Sequence, residues 1–405
     1  MRMMTARRRS LVASLLVVAA LAATSLGSAS AATPAASAPP GATTSLDAPE
    51  PFPRAATECA GKVLDAMSLE ERVGQLFLLG IGSGLDAAER SLIQSRHLGS
   101  VTFAAFVPDG TAGVRRITDA VQALATPKDT HHVGFLVAAN QEGGKVQALS
   151  GTGFSTMPTA LRQGKLTPER LREDARTWGQ QLGEAGVNLN LAPVGDTVPT
   201  SWASINAPIG QLQREFGHSP RVVEPHVKAF IEGMHEAQVL ATVKHFPGLG
   251  RVRGNTDFAS GVRDTSTTRG SAFLVPFRVA VDAGVPFVMT SLASYSKLDG
   301  RTLAAFSKPI TSGMLRDEMG FKGVIVSDDL SAVAVRKVPA GQRAVKFLRA
   351  GGNMITVTRP RDARAMATTL VHASTSSPSF RKLVDASARR ILEAKESAGL
   401  LTCSG

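Results

Sequence analysis

The sequence predicts an α/β fold, a single-domain (β/α)8 barrel of the TIM type, on three observations. Eight short apolar segments recur between residues 73 and 357. Stretches with helical periodicity separate them, which is the alternation that builds parallel sheets. Polar residues of catalytic type follow directly after several of the apolar segments, where barrels place their chemistry. The alternative, an open doubly wound sheet, lacks a G-x-G-x-x-G turn after its first strand.

Ser68 and Glu71 form the Ser-x-x-Glu signature of a capping box, so a helix is expected to start there. The run 73–80 then reads either as the end of that helix or as the first buried strand. Seven further strands are expected at 98–103, 133–139, 187–192, 239–244, 286–290, 323–327 and 353–357. Helical patterns lie at 111–124, 167–184, 221–237, 270–283, 308–319 and 340–349. Thr167-Pro168 opens the second of these as N-cap and first helical residue. A last helix over 380–397 carries Leu383/Val384 and Ile391/Leu392 two turns apart on one face. No repeat or long linker divides the body, so residues 58–405 read as one domain.

The N-terminal segment reads as an address. Residues 1–31 combine Arg2, Arg7, Arg8 and Arg9 with a short apolar core and an Ala-Ser-Ala site ending at Ala31, the pattern of a signal peptide. Arg8-Arg9 also suits twin-arginine export. The apolar core is too short for a membrane anchor, and no cysteine near Ala31 offers a lipid attachment. Residues 32–57 are rich in Ala, Pro and Ser and should form a disordered lead-in. A secreted, extracellular protein is therefore expected, with the cell wall as the surface it would associate with.

Composition narrows the partners. The formal charge is +12, and four of the positive residues belong to the signal segment. The remaining excess suits anionic surroundings, while 17 Phe, 2 Trp and 1 Tyr leave little for a nucleic-acid stacking track. The chain's two cysteines, Cys59 and Cys403, stand near the ends of the body. In an oxidising compartment they are expected to pair, the alternative being two free thiols. The expected state is a monomer without a cofactor or metal.

Polar residues recur where the apolar strands stop. Asn140, Glu142 and Lys145 follow the third strand, Asp196 the fourth, Lys244 and His245 the fifth, and Asp328 and Asp329 the seventh. A carboxylate flanked by basic donors suits covalent catalysis at an acetal carbon. A metal hydrolase is the competing inventory, but His131-His132 precede a strand and His245 stands alone.

At this point the chain resembles a known family. The segments NQEGGKV at 140–146, LNLAPVGDT at 189–197, REFG at 214–217, KHFPGLG at 244–250 and GFKGVIVSDDLS at 320–331 are similar to the N-terminal barrel of glycoside hydrolase family 3. Within it they resemble the single-domain bacterial β-N-acetylhexosaminidases of peptidoglycan turnover. The resemblance implies a barrel that hydrolyses O-glycosyl bonds through a covalent intermediate, with carbohydrate, including muropeptide fragments, as partner. It implies Asp328 as nucleophile, Lys244, His245 and Arg214 as sugar-binding residues, and Asp196 as an organiser of the site. Asn140 and Lys145 stand where the family carries an Asp and an Arg, and Asp329 is expected to be structural.

The family's Asp-x-His dyad corresponds to Asp257-Phe258-Ala259, which keeps the acid and lacks the histidine. No histidine occurs between 246 and 371, and Leu292 stands where another would be expected. Asp257 is therefore the first choice for the acid, with Asp264 second. Two functions follow: a retaining β-glycosidase using Asp257, or a catalytically impaired barrel that binds N-acetylglucosamine or peptidoglycan fragments.

Overall fold

Eight parallel strands form the centre of the computed structural model, which describes residues 57–401. They are β1 (Phe77–Ile81), β2 (Ser100–Phe103), β3 (Leu136–Ala139), β4 (Leu189–Asn190), β5 (Leu240–Phe246), β6 (Phe287–Thr290), β7 (Val324–Ser327) and β8 (Ile355–Val357). The spatial order is β7-β6-β5-β4-β3-β2-β1-β8. A parallel bridge between Val326 and Met354 joins the two outer strands, so the sheet curls into a barrel. The expected (β/α)8 architecture is what the chain adopts. Strands covered on both faces must be apolar throughout, and β1, β3 and β6 are buried at every position.

Helices lie between successive strands. The principal ones are α1 (Thr57–Ala66), α2 (Leu69–Gln75), α3 (Ala87–Ser95), α4 (Gly110–Gln122), α5 (Pro168–Glu184), α6 (Pro220–Glu236), α7 (Val275–Asp282), α8 (Pro309–Glu318, wound as a π-helix), α9 (Ala340–Arg349), α10 (Pro360–Ser376) and α11 (Pro378–Ser397). The capping box is formed in both directions: Glu71 N–H donates to Ser68 Oγ at 3.2 Å, and Ser68 N–H to Glu71 Oε2 at 2.7 Å. The run 73–80 resolves into the end of α2 followed by β1. Three helices, α1, α3 and α10, stand where the sequence pattern placed none.

The expected signal segment, its twin-arginine pair, all but the end of the lead-in, and Cys403 lie outside the described residues. The expected Cys59–Cys403 bridge falls outside them too. Cys59 itself is half-buried on α1, whose Ala60 N–H donates to Glu396 Oε2 on α11 at 3.2 Å. Among the described residues no helix is long and apolar enough to cross a membrane.

Lys395 plugs the barrel at the N-terminal ends of its strands. Its side chain is fully buried and donates to Gln75 Oε1 at 2.8 Å and Gly99 O at 2.7 Å, with no carboxylate in contact among the described residues. Burial pulls its pKa down to about 7. The unfolded chain therefore binds one more proton than the native chain between about pH 7 and the usual lysine value. Stability should rise with pH across that window, by roughly 3–5 kcal/mol from this residue. Urea unfolding at pH 6.5 and 9.5 checks this. The rise should shrink by that amount in Lys395→Met, and an identical rise in both proteins would refute it.

Candidate active site

The C-terminal ends of the strands gather the charged residues. β5 continues its hydrogen-bonded course to Phe246, which carries Lys244 and His245 to the barrel mouth while keeping both buried. The β4 loop brings Asp196 against His245: Asp196 Oδ2 lies 2.7 Å from His245 Nδ1. Its other oxygen accepts the Leu249 N–H at 2.7 Å. Asp196 is fully buried, so it fixes the ring of His245 and leaves Nε2 as the ring's other polar atom.

A second buried cluster stands beside it. Glu142 accepts two hydrogen bonds from Arg214, Nε and Nη2 each at 2.7 Å, in a bidentate pair. Lys244 Nζ lies 2.7 Å from the same carboxylate and donates to Asn140 Oδ1 at 2.6 Å. Arg214 Nη1 also donates to Pro208 O at 2.8 Å. Burial opposes the charge on Glu142, but the two cations outweigh it and hold its pKa down at about 2. Burial also lowers the Lys244 pKa, against the pull of Glu142. One anion between two cations leaves a net positive patch, and both cations act on Asp328.

Asp328 is the first residue beyond β7. Its N–H donates to Thr290 O at 3.0 Å, and its Oδ1 accepts the Asp329 N–H at 2.9 Å. The carboxylate is half-buried and faces the Lys244–Arg214 patch. Asp329 turns the other way. It accepts from Ser331 N at 2.8 Å, Thr358 N at 3.1 Å and Thr358 Oγ1 at 2.6 Å, which ties the β7 loop to β8.

The loop after β5 supplies one more acid. Val333 N–H donates to Asp257 O at 3.2 Å and Ala334 N–H to Thr256 O at 3.1 Å, pinning this loop to the segment after β7. Desolvation and the nearby Asp328 carboxylate push the Asp257 pKa up to about 6, with His245 and Arg214 opposing. Asp257 itself is exposed to solvent, so it can exchange its proton with water.

Two carboxylates at one cleft, one held among cations and one pushed towards neutrality, are the acid–base division that glycoside hydrolysis requires. The profile of the glycosyl hydrolase family 3 N-terminal domain matches residues 68–394. The chain belongs to this family. The β-hexosaminidase of Xylella fastidiosa is 36% identical over 236 residues, covering 56% of this chain and 68% of that protein. That of Nitrosomonas eutropha is 30% identical over 300 residues, covering 72% and 82%. The crystal structure of a β-N-acetylhexosaminidase from Beutenbergia cavernae matches with a TM-score of 0.80 at 43% identity, covering 82% of this chain and 99% of that one.

Of the residues expected to form this family 3 site, Asn140, Asp196, Arg214, Lys244, His245, Asp257 and Asp328 converge on the barrel mouth. Lys145 does not join the buried cluster: it is exposed at the turn of the hairpin formed by Gln141–Gly143 and Val146–Gln147. Asp264 is buried and saturated, with Ser266 N at 2.6 Å, Thr267 N at 2.8 Å and Thr267 Oγ1 at 2.5 Å, so it caps its own turn. Ala259, which the motif aligned with the missing histidine, packs half-buried against the core. Asp257 is instead the titratable group of that loop that acts on Asp328. Two residues were not among those expected to form the site. Glu142 was passed over as a site residue although it organises both cations. Tyr295 braces the rim, donating to Gly248 O at 2.8 Å and contacting Ser291 Oγ at 2.8 Å.

Proposed function

We propose that the chain is a secreted retaining β-glycosidase of β-N-acetylhexosaminidase type, acting on wall-derived or related glycans as a monomer. The observation that carries this reading is the convergence of two carboxylates, Asp328 and Asp257, with Lys244, His245 and Arg214 at the C-terminal ends of the strands, where Asp328 repels Asp257 and acts on both cations. Asp328 attacks the anomeric carbon as the bond to the leaving oxygen breaks, and Asp257 gives that oxygen its proton. The Asp257 carboxylate then takes a proton from water, whose oxygen attacks the anomeric carbon and releases Asp328. Lys244 and Arg214 set positive charge beside the nucleophile and, with His245 Nε2, present hydrogen-bonding groups to sugar hydroxyls. The names of the hexosaminidases of Xylella, Nitrosomonas and Beutenbergia support the N-acetylhexosamine preference.

The test is a hydrolysis screen against aryl β-glycosides, chitobiose and muropeptide fragments. With a disaccharide, kcat/KM should fall as pH rises through about 6, because the free enzyme then loses the Asp257 proton. With a leaving group that needs no proton, that limb should be absent. Asp257→Ala should lower the disaccharide rate by about 10²–10⁴-fold and spare the activated substrate. A wild type that hydrolyses nothing yet binds N-acetylglucosamine fragments would replace this reading with the binding one. An unchanged substrate ratio in Asp257→Ala would move the acid elsewhere.

A further inference from the structure

Four large apolar side chains are prominently exposed among the described residues, and three stand at the barrel mouth. Phe106, 70% exposed, follows β2; Ile205, 37%, follows β4; Phe258, 80%, follows β5. Only Leu383, on α11, lies on the helical wall. Leaving a phenylalanine in water forgoes roughly 2 kcal/mol of burial, and the grouping of three such apolar side chains at the mouth marks it as a candidate ligand surface. Tryptophan follows the same division. Trp178 is buried in the core, whereas Trp202 is half-exposed on the β4 loop.

The β4 and β5 loops make one wall. Asn206 Nδ2 donates to Leu249 O and Val252 O, both at 2.7 Å, and Ala207 N–H donates to Arg253 O at 3.1 Å. The Arg253 guanidinium lies 6.0 Å from the centre of the Trp202 ring. A tight turn, closed by Phe258 N–H to Asn255 O at 3.1 Å, sets Phe258 directly after Asp257. A Cβ added at Gly254 would stand 3.0 Å from Val262 Cγ2 and 3.5 Å from Ala259 Cβ, so the chain from Arg253 to Phe258 folds back on itself as one compact turn of the β5 loop.

We propose that Trp202, Arg253 and Phe258 form a leaving-group subsite that takes the flat face of a second sugar ring beside Asp257. The proposal rests on the glycosidase reading and deepens it. A pyranose has an apolar C–H face that packs on an aromatic ring, and a rim of hydroxyls that accept from a guanidinium. Arg253 offers a planar array of donors and has no carboxylate partner among the described residues. A purely apolar ligand would want a continuous apolar patch, whereas exposed Ser204 and Arg253 interrupt this one.

The test compares a disaccharide with a glycosyl fluoride of the same sugar, which has nothing to place in the leaving-group subsite. In Trp202→Ala and Phe258→Ala, disaccharide kcat/KM should fall roughly 3- to 10-fold, mainly through KM. The fluoride should change less than twofold, and Leu383→Ala should alter neither substrate. Equal losses on both substrates, or no loss on either, would overturn the subsite while leaving the glycosidase reading intact. Should the wild type hydrolyse no sugar, titration with chitotriose separates the two ideas. Quenching of tryptophan fluorescence that disappears in Trp202→Ala keeps the subsite without the enzyme; no quenching removes it. Sedimentation that shows a dimer dissolved by Trp202→Ala or Phe258→Ala would assign the patch to a second copy of the chain and overturn the proposal.

Discussion

Asp328→Asn should abolish hydrolysis, with kcat/KM falling by about 10³-fold or more, while Asp329→Asn should lose far less activity and more stability. The two neighbours differ in what they touch. Asp328 accepts one backbone N–H and faces the Lys244–Arg214 patch. Asp329 spends both oxygens on Ser331 and Thr358. An asparagine at 328 keeps the shape and the Asp329 contact but supplies no nucleophile, so the barrel should stay folded. An asparagine at 329 offers an N–H₂ where Thr358 Oγ1 now donates, and β8 loosens from the β7 loop. Trapping with a 2-fluoro or 5-fluoro glycoside and mapping the labelled peptide identifies the nucleophile. Label on another carboxylate, or near-normal turnover in Asp328→Asn, would defeat the assignment.

The barrel was legible because its strands are short, continuous apolar runs, the pattern that burial on both faces demands. The helices that the pattern missed have physical reasons for being hidden. α10 is crowded with hydroxyl residues, which read as loop. In the fold Thr368, Thr369, Ser374, Thr375 and Ser376 each bond the carbonyl four residues back, so the helix satisfies them internally. α3 is only nine residues long with a sparse apolar stripe. Its start is marked by a second capping box, in which Glu89 N–H donates to Asp86 Oδ1 at 2.6 Å and Asp86 N–H to Glu89 Oε2 at 3.0 Å.

The site was legible wherever strand ends could be located, since Asp196, Lys244, His245 and Asp328 then fall on one face. Side-chain direction was not. Lys145 and Glu142 lie three residues apart in one hairpin, yet one is exposed and the other buried. A tight turn reverses the chain between them, and linear spacing does not carry that reversal. At the dyad, counting residues made Asp257 the first choice for the acid and left Ala259 in the histidine's place; the turn that starts at Asn255 packs Ala259 half-buried against the core and leaves Asp257 in electrostatic contact with Asp328.

Glu142→Gln should both destabilise the protein by roughly 3–5 kcal/mol and remove most of its activity, because it leaves two cations uncompensated. Among the described residues Glu142 is the one carboxylate within contact of both Arg214 and Lys244, and all three are largely buried. A glutamine has the same shape but one acceptor oxygen, so the bidentate pair with Arg214 is broken. Lys244 then either sheds its proton or swings away from Asn140, and in both cases the positive patch facing Asp328 weakens. The linkage sign makes the claim specific. The folded pKa of Glu142, about 2, lies below its unfolded value. Its contribution is therefore complete above about pH 4.5 and disappears as pH falls towards 2, a swing of roughly 3 kcal/mol. Denaturant titrations from pH 6 to pH 2.5 should show that swing in wild type and not in Glu142→Gln, so the two stability curves converge on acidification. Parallel curves would mean that the clamp contributes nothing as a charge. A Glu142→Gln protein of normal stability and full kcat/KM would show that Lys244 and Arg214 hold their places without it.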